Sequence, residues 1–433
     1  MKTRAFVLAL ALALHPASAI SQSQPRPSVL VKAGKLLDVR KGGYIEGVAI
    51  WIEGDRIKEV GRLREVQGHA PHDAKVVDLS RATVLPGLID CHTHLMARFA
   101  SGPDGYLLGL ATKSQAFRAL EGAANARVTL YASFTTVRDV ENEGSGYADV
   151  ALRDAIEQGL VEGPRMQVAT RAIAALGQYN PFGVSPDLTN FPTGAQMISG
   201  VEEARRAVRE QIEYGADLIK VYADWQHPTL TLDEIRVVVE EAHKQGLKVA
   251  AHATTAEGIK NAVTAGVDSI EHGHRADRED LEMMKARGTF LVPTVGVIDA
   301  NFERTKNEPM TPERREQRET FLRSSEQSMR LAISLGVRIA SGFDASGPAK
   351  QGRNADELVA LTKRGMPPLE AIRAATLNAA ELMSWQDRVG AVEVGKYADL
   401  IAVEDDPLTD IAVLQQVKFV MKGGTVVKDT LTH

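Results

Sequence analysis

The chain has 433 residues, 44% hydrophobic and 25% charged, which excludes a disordered chain and leaves room for one large core plus a smaller domain. Its formal charge of −5 gives no footprint for nucleic acid or an anionic membrane as partner. A single cysteine, Cys91, excludes an internal disulfide, so stability has to come from packing or metal.

Lys2 and Arg4 precede an apolar stretch over residues 6–14, and Ala17-Ser18-Ala19 supplies small residues for cleavage. This pattern predicts a signal peptide over 1–19 and an exported protein, periplasmic or secreted; an N-terminal core helix is the weaker alternative. Residues 22–28 read as a short polar leader. From Val29 the chain turns to strand and turn language, VLVKAGKLLDV and then GVAIWIEGDRIKEVG, with a hairpin expected at Gly54-Asp55. The last stretch reads the same way, RVGAVEVGKYADLIAVEDDP followed by VKFVMKGGTVVKD. Neither end alone buries much core, so 29–82 and 388–433 are expected to form one composite β-sandwich domain.

The middle, 83–387, alternates strand and helix. Candidate strands are 83–92, 134–140, 165–171, 217–222, 248–253, 268–272, 289–294 and 338–343, with helical segments such as 201–214 and 233–245 between them. Eight such units predict an α/β fold, a distorted (β/α)8 TIM barrel. A doubly wound sheet is the runner-up, without the glycine-rich turn that usually follows its first strand. Thr311-Pro312-Glu313 predicts a helix start. The charged run 303–320 reads as that helix's solvated face, with a lid over the site as the sharper reading.

Five of these strands end in residues able to hold a divalent metal: His92 and His94, Lys220 beside Tyr222, His252, His272, and Asp344. In a barrel, strand ends on one face form the active site, so hydrolysis at a metal centre is the first expectation. His92 and His94 are two apart and leave their strand on one face, while Cys91 points the other way and is not a nucleophile. His272 and His274 also share a face, and spacing alone does not choose between them. A core histidine, a lysine reaching a surface carboxylate and a turn aspartate compete with each assignment. His69, His72, His227 and His243 read as surface residues.

The run PGLIDCHTH resembles the first strand of the amidohydrolase superfamily, metal-dependent hydrolases on a distorted (β/α)8 barrel. The likeness extends to GKYADLIAVEDDPL near the end and so covers nearly the whole mature chain. It implies two divalent metal ions, zinc first and manganese or cobalt as alternatives. His92 and His94 would bind the more buried one, and His252 and His272 the second. Lys220, carboxylated by CO2, would bridge them; an uncarboxylated ammonium beside two dications would be repelled. Asp344 would ligate the first metal and act as general acid/base to a bridging hydroxide, and Tyr222 would donate to the oxyanion. His274, one step further out, would face substrate or solvent.

Within the superfamily the chain is most similar to prolidase-like enzymes that cleave dipeptides or N-acyl amino acids, including those that split ochratoxin A into ochratoxin alpha and L-phenylalanine. Such substrates carry a free carboxylate, for which Arg171, Arg275 and Arg98 are the candidate cations. Loops 96–112 and 173–200 offer Phe99, Tyr106, Leu107, Leu108, Tyr179, Phe182 and Phe191 as apolar contacts. Leu176-Gly177-Gln178-Tyr179 stands where many relatives have Gly-Gly-His, which weakens the Xaa-Pro dipeptidase reading. A mononuclear deaminase or cyclic-amide hydrolase is the other enzyme class, and Lys220 argues against it. A non-catalytic relative is the third. The resemblance also implies a homo-oligomer, an octamer among the options.

Overall fold

The computed structural model describes residues 27–98, 105–177, 185, 187–188, 191–225, 227–347 and 350–431. The expected signal peptide, together with Phe99, Gln178, Tyr179 and Phe182, lies outside the described residues.

Alternating apolar residues at the N-terminus build two long strands, Ser28–Asp38 and Gly43–Glu53, paired antiparallel. The turn between them closes at Gly42, whose φ of 80° suits a residue without Cβ. Ser28–Asp38 also pairs in parallel with Lys75–Pro86, and Lys75–Pro86 pairs antiparallel with Leu400–Val403. The result is one seven-stranded sheet: Thr425–Asp429, Phe419–Lys422, Leu400–Val403, Lys75–Pro86, Ser28–Asp38, Gly43–Glu53, Arg56–Arg62. Both chain ends meet in it, around a core that includes Val31, Ile50, Val84, Leu400, Phe419 and Met421.

The middle of the chain is α/β with two parallel sheets. One holds Leu88–Thr93, Phe134–Asp139 and Arg165–Val168. The other runs Phe290–Val292, Ser269–His272, Lys248–Ala253, Leu218–Tyr222, Ala172–Ala175, Ala195–Ile198. Backbone bonds join the two. On one side Asp217 N–H donates to Val168 O at 2.8 Å. On the other, residues 338–344 bond to both sheets: Leu291 N–H to Arg338 O and Cys91 N–H to Ser341 O, each at 2.8 Å, and Asp344 N–H to His92 O at 2.9 Å.

Three expectations change. The strand expected over 83–92 divides at Gly87, where a Cβ would lie 2.1 Å from Thr135 Oγ1; the part up to Pro86 belongs to the seven-stranded sheet. The strand expected over 165–171 stops at Val168, because Thr170 adopts φ 61°. The chain resumes as Ala172–Ala175, paired with Ala195–Ile198, so part of the loop read over 173–200 is sheet. The last candidate strand, 338–343, reduces to a single bridge at Ile339.

Helices cover the parallel strands with faces spaced as the sequence predicts. In Leu232–Lys244, Ile235, Val238, Val239 and Ala242 are buried against the strand valines and isoleucines. Thr231 and Glu234 close its first turn as a capping box, worth about 1 kcal/mol. Among the described residues no helix is long and apolar enough to cross a membrane.

Candidate active site

Strand ends set the site. At the end of Leu88–Thr93, side-chain alternation sends His92 and His94 to one side and Cys91 to the other. Cys91 is buried with Sγ 3.9 Å from Ala379 O, and burial pushes its thiol up to about 12. Asp90 ties this strand to the 341–344 segment: Oδ1 accepts from His92 N–H (2.9 Å) and Phe343 N–H (3.2 Å), and Oδ2 accepts from Asn354 Nδ2 (2.7 Å). Burial raises its carboxyl to about 7.

His92 is oriented from behind. Its Nδ1 lies 2.7 Å from Glu271 Oε2, and Glu271 Oε1 accepts from Arg138 Nη2 at 2.8 Å and from Ser269 Oγ at 2.5 Å. Arg138 Nε also donates to Cys91 O at 2.7 Å, and all four residues are buried. A carboxylate on Nδ1 leaves Nε2 to face the site. His92 Nε2 sits 3.2 Å from His94 Nε2, which is 3.5 Å from Asp344 Oδ1. The donor atoms of His92, His94 and Asp344 lie within 4.8 Å of one another. His94, Glu141 and Glu143 form a second group of the same kind, with His94 Nδ1 3.0 Å from Glu143 Oε1. Burial disfavours charge on His94, but the Glu143 and Asp344 carboxylates outweigh it and push the imidazole up to about 10. Carboxylates that favour a proton there favour a metal cation as well.

Lys220, in the middle of Leu218–Tyr222, is 1% exposed, and burial lowers its pKa. The His252 and His272 rings are 4.6 Å apart, and His272 is 4.9 Å from His92, so the imidazoles form one continuous group. Burial holds His92, His252 and His272 well below the usual histidine range, with Lys220 adding repulsion. Neutral imidazoles are the form that ligates metal. His272 and Asp344 adopt left-handed backbone, φ 74° and 61°, as does Thr294 at 51°, whose Oγ1 is 2.8 Å from His272 Nδ1. Three non-glycine residues in this region mark stored strain where the site is built. Tyr222 donates its hydroxyl to Glu141 and stacks on Trp225 at 4.8 Å. His274 lies one step further out, with Nε2 3.3 Å from Pro293 O and its ring edge-on to Phe321 at 5.1 Å; burial lowers it to about 4.

A cavity of about 680 Å³ opens over His252, His272, His274 and Asp344. Its outer wall comes from the helices Val295–Thr305 and Pro312–Leu335. The three arginines expected near substrate lie outside its lining. Arg171 Nη2 donates to Ala195 O at 2.9 Å, binding the two short strands together. Arg275 is exposed in a neighbouring groove with Arg278 and Glu313. Arg98 is half-buried, its carbonyl accepting from Lys113 Nζ at 2.9 Å. Arg318 lines the cavity instead, and so does His227, read above as an ordinary surface residue. Glu141, Glu143, Arg138 and Glu271 were also unforeseen. The signal for the first two was present, since they follow Phe134–Asp139 and so obey the same strand-end logic as His92.

Residues 83–427 match the model of the Amidohydrolase family. The chain belongs to that family. This amidohydrolase is 34% identical over 378 residues to ochratoxinase from Aspergillus niger, covering 80% of this chain and 75% of that one. It is similar to the crystal structure of a Xaa-Pro dipeptidase with bound methionine in the active site: TM-score 0.83, 34% identity, 93% of this chain and 100% of that one. The crystal structure of A. niger ochratoxinase gives a TM-score of 0.82 at 30% identity, covering 95% and 98%. These likenesses make the amidohydrolase a metal-dependent hydrolase with a TIM-barrel-like α/β fold.

Proposed function

We propose that the amidohydrolase is a binuclear amide hydrolase for N-acyl amino acids or dipeptides with a free C-terminal carboxylate, ochratoxin A among them. The observation that carries this reading is the convergence of His92, His94 and Asp344 donor atoms within 4.8 Å, with Asp344 lining the cavity. His92, His94 and Asp344 would hold one divalent cation, zinc in the first instance, and His252 and His272 a second. Lys220 would join them as a carbamate formed with CO2; its burial among imidazoles suits a neutral amine better than an ammonium. When bound, the metals supply Lewis acidity and a water that is nucleophilic near neutral pH.

The chain's own residues do the rest. Asp344 borders both His94 and the cavity, where its carboxylate takes a proton from the attacking water and returns it to the departing nitrogen. Tyr222 is held by Glu141, so its donation to a developing oxyanion requires that bond to open. The Arg138–Glu271–His92 relay fixes the first ligand. The reading includes a closed (β/α)8 barrel that begins after Pro86, a composite terminal β-domain built on the seven-stranded sheet, export after Ala19, and a homo-oligomer. A second reading, Xaa-Pro dipeptidase, is favoured by the likeness to that enzyme's structure.

The test loads the protein with zinc and follows amino-acid release from N-acetyl-L-phenylalanine, an Xaa-Pro dipeptide and ochratoxin A. Elemental analysis should find about two metals per chain. Asp344→Asn should lower kcat about 100- to 10,000-fold with the metal largely retained. Hydrolysis that survives both chelation and this substitution would remove the proposal.

A further inference from the structure

The cavity wall is divided chemically. Its floor is imidazole and carboxylate, whereas the helical hairpin opposite contributes Val297, Ile298, Phe302, Phe321, Leu322 and one cation, Arg318. Arg318, Phe321 and Leu322 are spaced i, i+3, i+4, so one face of Pro312–Leu335 turns all three to the cavity. Arg318 is held rigidly there. Nη1 donates to Thr305 O at 3.1 Å, Nη2 donates to Phe302 O at 2.8 Å, Nη1 lies 4.0 Å from Met310 Sδ, and the guanidinium stacks 4.3 Å over the Phe302 ring. Among the described residues no carboxylate lies within ion-pair distance of it. Other arginines on these two helices, such as Arg304, Arg323 and Arg330, do have such partners. A guanidinium braced by neutral carbonyls keeps its full charge for an incoming anion.

We propose that Arg318 reads the anionic end of the substrate while the apolar hairpin wall holds the side chain beside it. This deepens the hydrolase reading and rests on it. The substrate class it selects is an amide with an aromatic or large aliphatic residue next to a free carboxylate. Phe321 fixes the position: its ring is 5.1 Å from His274, and Arg318 stands one helical turn further from the metal-ligating end. Arg318 therefore meets a group a few bonds from the scissile carbonyl, not the carbonyl itself.

The experiment uses probes that are not hydrolysed. Calorimetry compares 3-phenylpropanoate with neutral 3-phenylpropan-1-ol on the metal-loaded wild type, Arg318→Met and Arg318→Lys. The wild type should prefer the acid at least tenfold. Arg318→Met should lose about tenfold or more of that preference, as expected for a charge-assisted pair, with the alcohol bound as before, and Arg318→Lys should restore part of it. An unchanged acid preference in Arg318→Met overturns the proposal, and so does equal weakening of both probes, which marks a packing role against Phe302. Binding is read without turnover, so absence of amide hydrolysis would sink the functional reading separately.

Discussion

Glu271 does more for the site than its position beside His272 suggests. Its carboxylate is shared between Arg138 and His92 Nδ1 in a fully buried relay. Removing one partner of a buried pair leaves the other charge unpaired and costs about 3–5 kcal/mol. Loss of an outer partner also lowers metal affinity about 10- to 100-fold. Glu271→Gln should therefore lower both the urea midpoint and zinc retention on dialysis, while Glu279→Gln, on an exposed helix turn, should change neither. Unaltered zinc retention in Glu271→Gln would show that His92 needs no support from behind. At this scale the sequence was informative where parity decides: His92 and His94 share a face because strand residues alternate. It was silent on Glu271 and Arg138, because their partner lies across two sheets and no local spacing records that contact. Arg318 was hidden for another reason, since a charged helix run reads as solvated whether or not a cavity lies beneath.

The helical hairpin Val295–Thr305 and Pro312–Leu335 is anchored at its base. Buried residues are Val295, Gly296, Val297 and Ile298 at its start and Ser325, Ser328, Met329 and Ala332 near its end. Glu357 caps the first helix by accepting from Val295 N–H at 3.1 Å and from Gly296 N–H. Burial raises this carboxyl from 4.5 to about 8. The folded state thus keeps a proton that the unfolded chain releases, so the associated stability is full below 4.5 and lost as pH rises through about 8. Glu357→Gln removes that dependence. The stability of wild type relative to Glu357→Gln should fall between pH 5 and pH 8.5 by an amount on the order of a few kcal/mol, read from urea midpoints. A constant difference would place Glu357 in contact with water. The start of Pro312–Leu335 was legible from Thr311-Pro312, since a cap followed by proline has little other use. The pair Ala172–Ala175 and Ala195–Ile198 was not, because four-residue strands rich in alanine carry too little pattern to separate from loop.

Across the whole molecule, the seven-stranded sheet binds the first and last parts of the chain into one core. Leu400, Ile401, Phe419 and Met421 are all fully buried. At about 1.5–3 kcal/mol each, their loss rivals the ~5–15 kcal/mol that holds a domain folded. A chain ending at Lys396 should therefore be insoluble or melt without cooperativity by circular dichroism, although every expected metal ligand is still present. A cooperative melt at the full-length temperature would mean that the parallel sheets fold alone. That both ends belong together was legible from their shared strand-and-turn language, but their order in the sheet was not, since register depends on contacts between distant segments. The arrangement also sets a clock. Lys75–Pro86 is finished early in synthesis, yet its antiparallel neighbour Leu400–Val403 comes near the end. At ~5–20 residues per second the ribosome leaves that edge unpaired for roughly 15–60 s. During this interval the nascent chain offers an open β-edge to any other strand, so the moment of greatest exposure to misassembly precedes release.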